Sequence, residues 1–140
     1  MRRKRSLLTD RRGAAAIEFA ILAPVFFMVV FSMIGYGIYL SASHAVQQLT
    51  ADAARTAIAG LTPAERKQLA EKYVKVTTPE YAFLDDKAMT VAVQDDPNNP
   101  NQFTVSISYD ASGLPIWQLY SFAMPGKVIR RFATIRVGGI

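Results

Sequence analysis

Between Phe19 and Leu40 the chain carries no charged side chain, and only Pro24 and Ser32 interrupt its apolar and glycine composition. A helix over these 22 residues is about 33 Å long at roughly 1.5 Å per residue. The hydrocarbon core of a bilayer is about 30 Å thick, so the run is long enough to cross one. A chain of 140 residues then has room for one membrane segment and one small domain.

The charge pattern sets an expected orientation. Residues 1–12 hold Arg2, Arg3, Lys4, Arg5, Arg11 and Arg12 against Asp10, which accounts for the whole formal charge of +5. The remaining 128 residues balance ten basic side chains against ten acidic ones. A nucleic-acid binder concentrates basic residues on its folded domain. Here they stand in the leader, so nucleic acid is not an expected partner. Basic segments flanking a membrane helix stay cytoplasmic, which predicts a cytoplasmic N-terminus and an extracytoplasmic domain after Leu40. The sequence has no cysteine, so that domain must be held by its core or its neighbours rather than by disulfides. At about 80–100 residues it is marginal alone, as suits a part that works packed in an assembly.

A secretory signal has an apolar core of about 7–15 residues followed by a small-residue cleavage site. This core is longer, and Ser41-Ala42-Ser43-His44 is a poor site. Arg11-Arg12 suggests a twin-arginine signal, but the core is again too long. The helix is expected to stay, and the better processing site lies before it, between Gly13 and Ala14. Glycine leaves its peptide bond open to a protease at the membrane surface. Glu18 becomes the fifth residue of a chain shortened there. A carboxylate at the centre of a bilayer costs roughly 2.5–3.5 kcal/mol on insertion scales, and less near the interface. Two readings of Glu18 stand side by side. It pairs with the new α-ammonium of Ala14 on a neighbouring molecule, or it sits among headgroups and reaches water.

The stretch Arg11-Arg12-Gly13-Ala14-Ala15-Ala16-Ile17-Glu18-Phe19 resembles the prepilin-peptidase site of the Flp branch of type IV-like pilins. A longer resemblance, over roughly Arg11 to Ala59, is to the TadE-like family of the tight-adherence (Flp pilus) machinery. It rests on that opening, on Pro24, on Tyr36-Gly37 late in the apolar run, and on Ala51-Asp52-Ala53-Ala54-Arg55 beyond it. Members of the family often carry an acid just before the aromatic-glycine pair and an arginine just after. Gly35 and Ile38 stand at those places here, so no role is carried over for them. The resemblance implies a minor pilin-like subunit of the bacterial inner membrane, cut after Gly13 by a prepilin peptidase and methylated on the Ala14 amine. Its partners would be the membrane, other pilin-like subunits and inner-membrane pilus assembly proteins. A pseudopilin of a general secretion system is the alternative, although those usually open the mature chain with phenylalanine and a Thr-Leu run. A plain single-pass anchor displaying a small domain is the third reading.

The expected architecture is α+β. It comprises a long N-terminal transmembrane helix continuing as an amphipathic stem, a short second helix, and a small antiparallel β-sheet C-terminal domain. The expected divisions are a leader at 1–13, the helix and stem at 14–60, and the domain at 61–140. Pro24 removes a backbone donor and is expected to kink the helix. Ala16 and Ala20, and then Gly37, Ser41 and Ala45, place small residues four apart, where helices can approach closely in lipid. Ala42, Ala45, Val46, Leu49, Ala53 and Ala57 form a helical stripe that suits either the chain's own sheet or neighbouring stems. Gly60 is the expected C-terminal stop. Thr62-Pro63-Ala64-Glu65 has capping-box spacing and predicts a helix to near Lys75, with Leu69, Ala70, Tyr73 and Val74 inward and a Glu71–Lys75 pair. Thr78-Pro79 ends it.

The period then changes to two. Met89, Val91 and Val93, then Phe103, Val105, Ile107 and Tyr109, predict a hairpin closed by the loop DDPNNPNQ. Asp95-Asp96 suggests a calcium loop, but prolines fall where ligands would be needed and no glycine or distal glutamate is in register. Gly113 to Gly126 is apolar and irregular. Ile116, Leu119, Tyr120 and Ala123 could line a short helix, and Trp117, Phe122 and Met124 belong either to a flap over the sheet or to a subunit contact. Val128 to Val137 predicts a last strand with Ile129, Ala133, Ile135 and Val137 on one face. No catalytic set accompanies these elements. One histidine (His44), no cysteine, no phosphate loop and no metal-ligand spacing predict a chain that is a substrate of processing rather than an enzyme, with no cofactor.

Overall fold

The computed structural model describes residues 11–119 and 125–138. The leader cations Arg2 to Arg5, and Tyr120, Phe122, Ala123 and Met124 in the irregular segment, lie outside them. The first element is a single helix, α1, over Arg11–Ala57. It passes through Pro24 without a break in its assignment. The polar interruption at Ser32 is satisfied within the helix, because its Oγ donates to the Met28 carbonyl at 2.8 Å. In lipid that local bond spares the hydroxyl a costly burial.

The outer half of α1 becomes a core element. Ala42, Val46, Leu49, Ala53, Ala54 and Ala57 have no exposed surface, and Ala45 is half-buried. The stripe packs on the chain's own sheet and second helix, which decides a question the periodicity leaves open. Thr50 is also fully buried, and its hydroxyl donates to the Val46 carbonyl at 2.6 Å.

The second helix, α2, covers Pro63–Thr77. Thr62 and Glu65 form the expected capping box. Glu65 N donates to the Thr62 hydroxyl at 3.2 Å, and Thr62 N donates back to the Glu65 carboxylate at 3.2 Å. Ala70 and Val74 are buried, and Leu69 and Tyr73 are half-buried beside them. Glu71 pairs with Lys67 at 3.7 Å rather than with Lys75. One helical turn separates Glu71 from either lysine, so i, i+4 spacing alone does not choose between them. After Thr77 a 3-10 turn over Thr78–Glu80 closes the helix, and the Thr78 hydroxyl donates to the Val74 carbonyl at 2.6 Å.

Gly60 acts differently from expectation. Its φ is not left-handed, and a Cβ there would stand 2.6 Å from the Arg66 backbone nitrogen. Close approach of the α1–α2 turn to the first turn of α2 requires the glycine, not a left-handed helix cap.

Three antiparallel strands follow: β1 over Met89–Asp96, β2 over Asn99–Asp110 and β3 over Val128–Arg136. β2 is central. Its inward residues Phe103, Val105, Ile107 and Tyr109 are buried. The hairpin loop is shorter than the turn-rich sequence suggests, because β1 reaches Asp96 and β2 begins at Asn99. The polar residues are absorbed by a register shift after the Asp95–Phe103 pair, beyond which Asp96 faces Asn99. Asp96 accepts from Asn98 N at 2.8 Å and from Gln102 Nε2 at 2.9 Å, and Asn99 accepts from Asn101 N at 3.1 Å. These side chains replace the backbone bonds lost at the shift.

The connection from β2 to β3 contains a 3-10 turn at Ala111–Gly113 and a one-turn helix, α3, at Ile116–Leu119. Leu114 and Ile116 are buried in the same core as the stem residues, and α3 packs against α1. The described part of the irregular segment therefore lies on the stem side of the sheet.

The chain direction fixes which end of the domain lies beside the apolar run. Tyr39 Oη donates to the Gly126 carbonyl at 3.3 Å, and Arg131 donates to the Ser43 hydroxyl. The start of β3 thus lies beside the last residues of the apolar run. At the far end, Arg66 Nε donates to the Gly60 carbonyl at 3.1 Å, and its guanidinium meets Asp95 at 2.8 Å.

Candidate processing and assembly site

The part of α1 before its buried stripe carries the residues that the sequence marks for processing and assembly. Gly13 and Ala14 lie in its first turn, and both are exposed. A Cβ at Gly13 would meet nothing within 4 Å. Packing therefore does not require glycine here, and a helix interior disfavours it by about 1 kcal/mol relative to alanine.

Glu18 stands one turn beyond Ala14, exposed on a helix surface that is otherwise apolar. Among the described residues it forms no ion pair. Ile17, Phe19, Ile21 and Leu22 around it are between 64% and 72% exposed. A carboxylate in such surroundings needs a partner from outside the chain or access to water. Ala14 and Glu18 are four residues apart, about 6 Å along the axis. An amine at Ala14 of one helix would come level with Glu18 of another staggered by about one turn.

Ala16 and Ala20 are also exposed. At about 100° per residue, each lies roughly 160° around the helix from Glu18. The carboxylate and the alanine pair therefore face opposite sides, and one neighbouring helix cannot engage both. Gly37 and Ser41 are exposed as well, and a Cβ at Gly37 would meet nothing within 4 Å. The domain leaves these small residues uncovered. Along the apolar run of α1, Phe26 meets Phe27 edge-on at 5.7 Å between ring centroids, and Phe27 stacks on Phe31 at 6.1 Å. The span is apolar enough to cross a membrane, and none of its most apolar window is buried by the rest of the molecule.

The domain gathers no comparable set. Among the described residues, no three His, Cys, Asp or Glu side chains converge. The groups with displaced protonation are scattered. Burial, followed by the charges of neighbouring groups, raises the pKa of Tyr81. Burial and then the Asp85 charge raise that of Tyr109. Asp110 is lowered, first by its hydrogen bonds from Ser112 and then by Lys127.

Residues 13–55 match the family model of the TadE-like proteins. The match begins at Gly13 and runs through Glu18, Pro24, Tyr36-Gly37 and the Ala51–Arg55 segment, the stretch on which the resemblance rests. It covers most of α1 and leaves the sheet outside. TadE-like proteins are pilin-like, are associated with the membrane and with tight-adherence pilus components, and are generally not enzymes. No curated protein and no solved structure matches the chain.

Sequence reasoning passed over a second group of residues. β3 alternates inward at Ile129, Arg131, Ala133 and Ile135, and Arg131 is half-buried between apolar neighbours on that face. An arginine at an inward strand position is the signal that was present. Together with Lys127, Trp117 and Tyr39, it lies at the end of the domain beside the apolar run of α1.

Proposed function

We propose that the chain is a minor pilin-like subunit needed to assemble or initiate a tight-adherence (Flp, type IVb-like) pilus. It is held in the bacterial inner membrane by α1, with a cytoplasmic N-terminus and a periplasmic domain. A prepilin peptidase hydrolyses the Gly13–Ala14 bond, leaving a carboxylate on Gly13 and an ammonium on Ala14. By family analogy the new amine is then methylated. Glu18 of one subunit receives the Ala14 ammonium of the next, and the small residues Ala16, Ala20, Gly37 and Ser41 admit further helices. The observation that carries this reading is the TadE-like match over residues 13–55, which includes a Glu18 with no ion-pair partner among the described residues. In lipid, an unpaired carboxylate one turn from a prospective amine has one natural complement, the amine of a second copy or a related subunit.

Two variants test the proposal in cells making the pilus. Gly13→Leu is expected to leave the leader on. Glu18→Ala is expected to be processed and inserted but to stop assembly. Normal pili from both variants would return the chain to a simple anchor. A Glu18→Ala chain that is itself missing from the membrane would assign the glutamate to insertion instead.

A further inference from the structure

The domain stands directly on the bilayer if α1 spans it, as the proposed function requires. Ile38 and Tyr39 already pack against the domain core, while Leu40 closes the apolar run. Ser43 lies three residues later, about 4.5 Å further along the axis. The headgroup layer on each side of the hydrocarbon is about 5–7 Å thick. Ser43, and Arg131 bonded to it, therefore fall within the headgroup layer.

The side chains gathered there suit an anionic interface. Arg131 uses its guanidinium to bond the Ser43 hydroxyl and, at 2.8 Å, the Arg130 carbonyl. Guanidinium has five N–H donors, so most remain for another acceptor. Among the described residues no carboxylate lies within ion-pair distance of it. Lys127 is exposed on the same side, whereas Arg130, adjacent to Arg131 in the strand, points to the opposite face. The Lys127 ammonium lies 5.7 Å over the Trp117 ring. Asp110 is the neighbouring acid, and its carboxylate is engaged by Ser112 N at 3.0 Å. The other acids of this end, Glu80, Asp85 and Asp86, belong to the loop between α2 and β1, across the sheet from β3. The foot is thus polarised, with cations beside the stem. Trp and Tyr favour the membrane interface, and Tyr39 and Trp117 both stand at this level.

We infer that the stem side of this foot binds the phosphates of anionic phospholipids, with Arg131 as the central cation and Lys127 beside it. A planar guanidinium held by Ser43 suits bidentate phosphate contact. The domain is then docked on the membrane in one orientation rather than free on its stem.

Trp117 is the only tryptophan in the sequence, so its fluorescence reports on the foot alone. The full chain is reconstituted in vesicles of phosphatidylcholine, with or without about a third of phosphatidylglycerol, each carrying a trace of headgroup spin-labelled lipid. The expected result is Trp117 quenching at least twofold stronger in the anionic vesicles. The difference should disappear in Arg131→Gln and, independently, in Lys127→Gln, whose side chain is exposed. Equal quenching in the two lipids, or an unchanged difference in Lys127→Gln, overturns the inference. Alkaline carbonate extraction separates the two readings. A chain that stays in the vesicles without the lipid preference defeats the docking alone, whereas a chain that is extracted defeats docking and membrane span together.

Discussion

Arg66 Nη1 lies 2.8 Å from Asp95 Oδ1, joining the first turn of α2 to the end of β1. The same guanidinium bonds the Gly60 carbonyl and stands 4.8 Å over the Phe103 ring. One side chain thus ties together the α1–α2 turn, α2 and two strands at the end of the domain away from the apolar run. Arg66→Ala is expected to destabilise the domain by roughly 1–3 kcal/mol, because it leaves a carbonyl and a carboxylate without their donor. Asp95→Ala should cost less, since Arg66 keeps its other contacts. Arg66→Lys should recover little, because an ammonium lacks the planar fork. Denaturant unfolding in detergent, followed by Trp117 fluorescence, measures all three.

Two glycines should behave oppositely. Gly60→Ala drives a methyl into the Arg66 backbone, at 2.6 Å from its nitrogen, and is expected to cost about 1–3 kcal/mol through overpacking. Gly37→Ala meets open space and should leave unfolding unchanged. Gly37→Leu should likewise leave the domain intact, yet reduce pilus assembly if helices pack against that face. Unfolding midpoints paired with pilus counts distinguish packing within the chain from packing between chains.

Tyr109 links the sheet to a strained residue. Its hydroxyl donates to the Phe83 carbonyl at 2.9 Å, and Phe83 has a φ of 67°, where a bulky side chain is disfavoured. Tyr109→Phe should cost about 1 kcal/mol. The Tyr109 pKa is raised in the folded state, by burial first and the Asp85 charge second. A raised folded pKa contributes stability that is full below the unfolded value, about 10 for tyrosine, and is lost as pH rises through the folded value. Wild type should therefore weaken at high pH, and Tyr109→Phe should weaken less steeply. Thermal midpoints between pH 8 and 11 follow the difference.

Asp110 predicts the acid side. Its pKa is lowered by the Ser112 hydrogen bonds, with Lys127 adding to them. Its contribution is present above the unfolded pKa, about 3.9, and is lost as pH falls through the folded value. Asp110→Asn should flatten the decline of the thermal midpoint below about pH 4. The effect will be small, because the carboxylate is exposed.

The elements that depend on local pattern were legible in the sequence. The apolar run gave α1, Thr62 and Glu65 gave the start of α2, and the alternation around Val91 and Ile107 gave the hairpin. The candidate site was legible for a related reason: Gly13, Glu18 and their spacing lie within one short stretch, where order along the chain is order in space. Features that need the third dimension were not. The role of Gly60 depends on how near Arg66 approaches, and the short hairpin loop depends on side chains of Asp96 and Asn99 replacing ladder bonds. Arg131 interrupts an inward strand face, which is visible in the sequence. Its meeting with Ser43 requires knowing that β3, rather than β1, lies along the stem.

The central claim is that this TadE-like stem is cut after Gly13 and enters an assembly through Glu18. The most direct test is the N-terminal residue and mass of the protein taken from its native membrane. The account predicts a chain beginning at Ala14, with a mass showing one added methyl group. A chain beginning at Met1 would contradict it, leaving Glu18 without the amine it is proposed to meet.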